Sequence, residues 1–405
     1  MVKTIALLDP HKAGHHQMYL RLFSKILLDL GYRVLAFSAE PDSLRQWMTG
    51  HCPEQAQNLE TFPMQKLAPA QVPLLGRLPQ PVNGIMRWQQ AATIAKTAQD
   101  FLGQAPDLIF FNWLDDYFSA YLPAPLLDQL FPYPWAGLCF QPRLSFGSSH
   151  TKNTNKQGWV DFHAALNARH CRGVGVLDEG MAMALQQQSC SPVVTFPDIT
   201  DASEPDRSFS VRQQLQQQAQ GRTIIGLLGS LNRRKGLLTL LEIARRSQHQ
   251  PWYFAFIGKL SSYGLSAAEV EHIQTLAQQP PENCFFHLQL IPDEPQFNAL
   301  VEACDILFAA YENFPYSSNL LTKAAVFQKP VIVSEEFCMG QRVQQFRLGC
   351  TMPQGNVHQG ITAIHQLTEE LATGMTTLRP NFSGYRQQHS IHQVQLALQE
   401  ILGNV

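Results

Sequence analysis

Short apolar runs alternate with longer amphipathic stretches from one end of the chain to the other. The first run, TIALL from Thr4, precedes a stretch over 17–30 whose apolar residues recur at helical spacing; Gly31 stops that stretch before a second run, RVLAFS. Strand, covering helix and second strand open a βαβ unit on a parallel sheet, where both faces are covered and strands read as continuous apolar runs. The spacing predicts further strands at 108–112, 135–140, 173–177 and 193–196, and a helix beginning after Asp178 with that residue as its N-cap.

Over 198–222 the periodicity lapses into polar, Gln-rich sequence, and a second series then begins. Strands are predicted at 223–228, 253–257, 285–288, 306–309 and 331–333, and helices at 237–246, 267–278, 295–304, 319–327 and 360–371, with a last helix over 389–401. The economical account is an α/β chain of two doubly wound domains, residues 1–200 and 201–405, with the last helix packing back on the first domain. Ligands of such sheets collect outside the carboxyl ends of the strands, so the expected site is the cleft between two facing domains. Two stretches fall outside the alternation: the proline-rich 68–84, and the polar 144–158 with Lys152 and Lys156. Each is either a surface loop or an acceptor-binding or lid segment.

Composition narrows the function. Hydrophobic residues make up 45% and charged residues 15% of the 405, which suits a folded chain of two or three domains. A formal charge of −2 argues against a general nucleic-acid binder, so any phosphate must be held by a local site. No segment approaches the roughly 18 continuous apolar residues that span a bilayer. The N-terminus has only a short apolar run and no small-residue cleavage site, so the chain is expected to be cytoplasmic. Leu74, Leu75 and Leu78 leave a peripheral membrane contact as an alternative, without a basic face to support it. The eight cysteines include no C-x-x-C pair and several sit in apolar runs, so they are expected to be buried free thiols.

The segment LLGSLNRRKGLLTLLEIARR, 227–246, ends a buried strand in a glycine-containing loop with Arg233, Arg234 and Lys235, and Gly236 opens a helix. Cations beside the free amides of a helix start make a place for an anion. Each charge-assisted hydrogen bond contributes about 1.5–3 kcal/mol to holding a phosphate. A solvated basic turn is the plain alternative. A second segment, DILFAAYENFPYSSNLLTKAAVFQKPVIVSE, reads strand, loop, helix, strand. Ser317, Ser318 and Asn319 fall at the start of its helix, as simple caps or as a diphosphate cradle. Glu312, just past the strand, offers a carboxylate to sugar or ribose hydroxyls.

Taken together, G-S-L…R-K-G, FAFIGKL, FFHLQLIPDEPQFNALVEACDILFAAYE and KAAVFQKPVIVSE resemble the retaining glycosyltransferase family four, typified by enzymes that make glycogen, sucrose and mannosylated lipids. The resemblance covers about residues 222–350; earlier in the chain it rests on the first strand, the GHH loop and a VVTFPD strand. It implies a GT-B fold, two Rossmann-like domains facing across a cleft. It also implies metal-independent, retaining transfer of a sugar from a nucleoside-diphosphate sugar, with no further cofactor. In that family an Arg and a Lys neutralise the leaving diphosphate. Lys235 matches the Lys; the Arg position falls on Ser230, and Arg233 or Arg234 would supply that charge from inside the loop. The family's paired glutamates, counted back from Pro330, fall on Pro315 and Lys323. Lys323 accepts no hydrogen bond and would pair with a phosphate instead; Glu312 serves as the first acid if the loop carries an insertion. The resemblance thus implies Lys235, Arg234 and Glu312 as catalytic residues. Gly229, Ser230, Arg233, Tyr311, Ser317, Ser318, Asn319 and Lys323 would bind the donor.

In the first domain PHKAGHH follows the first strand, where the family has a loop that touches donor phosphate and acceptor; Gly14, His15 and His16 are the candidates. The three histidines of this loop also invite a metal reading, but no carboxylate or cysteine is taken to complete a set, and no metal is expected. Asp115 and Asp116 end LIFFNWLDD, and Gln141 and Arg143 follow WAGLCF. Asp115, Gln141 and Arg143 are acceptor-side candidates, with helix capping the alternative for the aspartates. The expected partners are a nucleoside-diphosphate sugar and an unidentified glycan, lipid or small-molecule acceptor, with no nucleic acid. The departures at Ser230 and Lys323 leave two rivals: a non-catalytic GT-B protein that binds a glycan or partner, and a nucleotide-sugar epimerase.

Overall fold

Runs such as TIALLD, LIFF and WAGLC are buried at every position, which a strand achieves only inside a sheet covered on both faces. The computed structural model describes residues 2–12, 15–65, 71–72, 76–77, 80–118, 122–142 and 164–403. The chain forms two compact units, Met1–Phe196 with His392–Val405, and Pro197–Ile391.

The first unit contains β1 (Thr4–Asp9), α1 (His15–Asp29), β2 (Arg33–Ser38), α2 (Pro41–His51), β3 (Leu59–Pro63), a short antiparallel pair β4 (Gln71–Val72) and β5 (Gly76–Arg77), α3 (Gln80–Leu102), β6 (Leu108–Phe111), α4 (Ala124–Leu130), β7 (Trp135–Cys139), β8 (Cys171–Val176), α5 (Glu179–Gln186) and β9 (Val193–Thr195). Its seven-stranded parallel sheet has the order β3-β2-β1-β6-β7-β8-β9. Asp178 caps α5 as its sequence predicts, its carboxylate accepting from the Met181 N–H at 2.6 Å. Trp88 of α3 fills one face, edge-on to Phe111 and Trp135.

The second unit contains α6 (Ser210–Ala219), β10 (Thr223–Leu228), α7 (Leu237–Arg246), β11 (Trp252–Ile257), α8 (Ala267–Gln278), β12 (Cys284–His287), α9 (Glu294–Ala303), β13 (Ile306–Ala309), α10 (Asn319–Val326), β14 (Val331–Ser334), α11 (Phe337–Phe346), β15 (Gly349–Met352), α12 (Val357–Ala372) and α13 (Phe382–Gln388). Its six parallel strands run β12-β11-β10-β13-β14-β15. A closing helix, α14 (Ile391–Leu402), belongs to the first unit from His392 onward. Its Ile401 is packed so close to Gly173 that a Cβ there would lie 3.3 Å from it.

Several elements depart from the sequence pattern. The Gln-rich stretch read as a lapse holds α6, because Val211, Leu215 and Ala219 recur on one face and bury it while the glutamines remain outside. The edge strands β3 and β15 and the helix α11 were not signalled, being short or mixed in polarity. Of the proline-rich stretch, the structure describes the β4–β5 pair and the start of α3; Leu74, Leu75, Leu78 and residues 144–158 lie outside the described residues. Seven of the eight cysteines are buried and all are free; Cys190 is exposed. Among the described residues no helix is long and apolar enough to cross a membrane.

Polar groups tie the segment that enters the second unit to α10 and α13. The Asp198 N–H donates to His389 Nδ1 at 3.0 Å, the Thr322 hydroxyl donates to the Asp198 carbonyl, and the Tyr385 ring stacks on His389 at 4.1 Å. Burial, with the Arg342 charge acting the same way, pushes His389 down to about 3. Its Nδ1 lone pair is occupied by that amide, so a proton there displaces the bond. The unfolded chain binds this proton near pH 6.5 and the folded unit only near 3, so stability held above pH 6.5 is lost as the pH falls between them. The slope is at most about 1.4 kcal/mol per pH unit. Denaturant unfolding at pH 7 and pH 5 should show a loss of about 2 kcal/mol, largely absent in His389→Gln.

Candidate functional site

Both sheets reverse their strand order at one strand: β1 lies between β2 and β6, and β10 between β11 and β13. Loops leaving the carboxyl ends of such neighbours diverge and leave a crevice. Most of the described candidates gather at these two places, each within its own unit.

In the second unit the chain leaves β10 through Gly229, at φ 99°, which crosses beside Gly258, at φ 134°. A Cβ on Gly258 would sit 1.8 Å from the Gly229 carbonyl oxygen, so the two loops meet only because this side chain is absent. Asn232 then starts a single 3₁₀ turn, Arg233–Lys235, its side chain accepting from the Lys235 N–H at 3.1 Å. Gly236 closes the turn at φ 75° and starts α7; a Cβ there would meet the Ala310 carbonyl at 2.6 Å. The turn is thereby pressed against the end of β13.

The three consecutive cations meet different partners. Arg233 is bound to the Glu269 carboxylate and donates to the Gly264 carbonyl at 2.6 Å, which ties it to the capping box of α8. Arg234 lies over the Phe314 ring at 4.5 Å. Lys235 donates to the Tyr311 hydroxyl at 2.8 Å, over the same ring at 4.6 Å. Neither Arg234 nor Lys235 has a carboxylate partner among the described residues. The Ser318 hydroxyl, at the N-cap of α10, lies 3.4 Å from the Tyr311 hydroxyl, and its side chain caps nothing. Asn319 opens α10, and Ser230 is exposed with its hydroxyl accepting from Asn232 at 3.3 Å. Glu312 is fixed at both ends, its N–H donating to the Arg234 carbonyl at 2.8 Å and its carboxylate accepting from Thr239 at 3.1 Å. Two cations without acids among the described residues, the Ser318 hydroxyl and helix amides are groups whose chemistry suits an anion, and the Glu312 carboxylate suits hydroxyl groups.

Lys323 and Ser317 stand apart from it. Lys323 is buried and spends its three donors on Glu294 at 2.8 Å, Asn298 at 2.6 Å and the Asp201 carbonyl at 3.0 Å. Burial pushes its pKa down, with Glu294 acting against it. The phosphate pairing expected for Lys323 is therefore replaced by a structural tether, because a buried ammonium must find acceptors inside the fold. Ser317 donates to Asp198 at 2.6 Å and accepts from Arg342 at 2.6 Å, in the same tethered segment.

In the first unit, Asp9 at the end of β1 is buried and accepts from the His11 N–H and from Asn112, both at 3.0 Å. His16 Nδ1 lies 3.2 Å from the same carboxylate. His11 Nε2 lies 3.0 Å from Asp116, which also faces Arg87 at 3.5 Å. The two imidazoles stack at 4.0 Å, and Trp113 packs 4.4 Å from His16 and 4.3 Å from Phe140. Ligand atoms of Asp9, His11 and His16 lie within 4.8 Å of one another, so a carboxylate does stand beside the histidines, contrary to the sequence reading. The signal was present: Asp9 ends the strand two residues before His11. Asp115 accepts from the N–H groups of Phe140 at 2.9 Å and Gln141 at 2.6 Å, holding the loop after β7. Burial raises its pKa against those bonds. Gln141 is exposed; His15 opens α1, and Gly14 and Arg143 lie outside the described residues.

No protein-family model matches the sequence, and no curated protein does. Solved structures do. Sucrose-phosphate synthase from Thermosynechococcus elongatus aligns over 99% of this chain and 98% of its own, at 18% identity and a TM-score of 0.67. Anabaena HepE in complex with UDP-glucose aligns over 100% of both chains at 16% identity and a TM-score of 0.65. WaaG, a glycosyltransferase involved in lipopolysaccharide biosynthesis, aligns over 98% of this chain and 99% of its own at 13% identity and a TM-score of 0.59. The chain has the GT-B fold of these proteins.

The placement of Lys323 separates two roles by measurement. Lys323→Met should lower unfolding stability by about 1–3 kcal/mol, the worth of hydrogen bonds to a charged group, and leave nucleotide affinity within about twofold. A tenfold loss of affinity at unchanged stability would restore the phosphate role.

Proposed function

We propose that the chain is a glycosyltransferase that takes its sugar from a nucleoside-diphosphate sugar. The diphosphate is held in the second unit by Arg234, Lys235, the Ser318 hydroxyl and the amides at the starts of α7 and α10. Glu312 receives hydroxyls of the donor, and the acceptor is taken by the loops after β1 and β6 in the first unit. The observation that carries this reading is the pair of cations that have no carboxylate among the described residues, at the strand-order reversal of the second unit. Holding like charges together without counterions is unfavourable unless an anion completes the site. HepE, one of the proteins with this fold, is known in complex with UDP-glucose.

Breaking the bond between sugar and diphosphate leaves negative charge on the departing oxygen, and preorganised cations stabilise that charge more in the transition state than in the ground state. Lys235 is fixed for this task by Tyr311, a neutral partner that orients the ammonium without cancelling its charge. The cations neutralise the diphosphate, so the transfer is metal-independent; the family resemblance makes it retaining.

Thermal unfolding against UDP, GDP, ADP, CDP and dTDP and their sugars tests the donor site first. One nucleotide series should stabilise the protein by about 2.7 kcal/mol at a hundredfold excess over its Kd. With that donor, Lys235→Ala should lower kcat by about 100-fold or more. A chelator should leave turnover unchanged, and the product should keep the donor's anomeric configuration. No response to any nucleotide would overturn the assignment.

A further inference from the structure

The sheet of the second unit ends at β12, which pairs with β11 on one side and, among the described residues, with no strand on the other. In a parallel ladder alternate residues turn their backbone groups to opposite sides. Asn283 and His287 face β11, their carbonyls accepting from the N–H groups of Phe254 and Gly258, each at 2.8 Å. Cys284, Phe286 and Leu288 therefore face the open edge. The Cys284 N–H is used locally, donating to the Pro281 carbonyl at 2.9 Å. The Cys284 carbonyl, both groups of Phe286 and the Leu288 N–H are left for a further strand.

Beside this edge runs a groove of about 500 Å³, bounded by Gln274, Ala277 and Gln278 of α8 and by residues 286–289. No acidic or basic side chain lines it apart from His287, whose pKa burial lowers. Phe286 and Leu288 are half-buried, and the Phe286 ring stacks on Phe256 at 4.9 Å. Gln274 and Gln278 lie one turn apart on the exposed side of α8.

These features fit a second copy of the same chain. A two-fold axis through Phe286 brings up an antiparallel strand in which Phe286 meets its own image and Leu288 stands opposite the partner's Cys284. Two bonds join the Phe286 pair, and each Leu288 N–H reaches the other Cys284 carbonyl; the Cys284 N–H, already engaged, is not called on. Residues directly opposite share a face, so the two Phe286 rings pair over the grooves. Glutamine both donates and accepts, so it can meet its own image across a two-fold axis, where a carboxylate or an ammonium would repel itself. Pro280, Pro281 and Pro292 bracket the edge and keep the ladder short. We propose that the chain forms a two-fold dimer in which β12 pairs with β12, joining two six-stranded sheets into one.

Sedimentation velocity on the full chain across micromolar concentrations should show a species of twice 45.6 kDa. Amide hydrogens of residues 284–288 should exchange more slowly as concentration rises, while those of β15, the opposite edge of the sheet, should not change. Gln274→Glu combined with Gln278→Glu places like charges on both sides of the shared groove and should raise the dimer Kd at least tenfold, most at low salt. Mixing that variant with one carrying Gln274→Lys and Gln278→Lys should restore dimers as mixed pairs. Leu288→Pro removes an edge donor that no bond among the described residues uses and should weaken the dimer as much. Unchanged unfolding of the dilute variants shows that they fold. A chain that stays monomeric, a dimer indifferent to these substitutions, or concentration-dependent protection that spares residues 284–288 would each overturn the proposal.

Discussion

Much of this molecule follows from the point in each sheet where the strand order turns back on itself. A chain that winds outward from β1 through β2 and β3 must return to lay β6 on the other side, and the same happens around β10. At that strand the neighbouring loops leave in opposite directions, and the backbone at its carboxyl end is covered by neither. Polar side chains, tight glycine turns and helix starts fill the gap. Gly236 illustrates the constraint: its turn can press on Ala310 only without a side chain, and that contact sets where Lys235 and α7 begin.

The same turn divides three consecutive cations. A 3₁₀ turn advances about a third of a revolution per residue, so adjacent side chains leave in different directions. Arg233 is carried toward α8 and is consumed by Glu269, whereas Arg234 and Lys235 meet aromatic rings. Aromatic faces and a phenol hydroxyl position a cation while leaving most of its charge available. Sequence spacing treats the three as equivalents; their partners make one structural and two available to an anion.

The two units differ in chemistry at these places. Among the described residues, the reversal in the second gathers Arg234 and Lys235 without acids, whereas that in the first gathers Asp9 and Asp116 beside His11 and His16. The buried tethers of the second unit, Lys323 with Glu294 and Asp198 with His389 and Ser317, do a different job. They hold the segment that enters the unit against α10, the helix whose start carries Ser318.

Sequence alone determined the two parallel α/β units, because a strand covered on both faces must be apolar along most of its length, and such runs as TIALLD and TIIGLL have no other home in water. It also located the loop of Arg233 to Lys235, since a glycine turn between a buried run and an amphipathic helix is a local feature. The edge strands β3 and β15 escaped it, as edges need no uniform apolarity, and α6 escaped because glutamine hides a buried stripe of only three residues. Tertiary structure decided everything that depends on a partner distant in the chain. Lys323 became a tether through Glu294 and Asp201, Asp115 a clamp on the loop after β7, and Asp9 the orienting group of His16 with Asn112 behind it. A side chain's charge and donors are written in its own letter, but whether they are already spent depends on which other residues the fold brings within 3 Å or so.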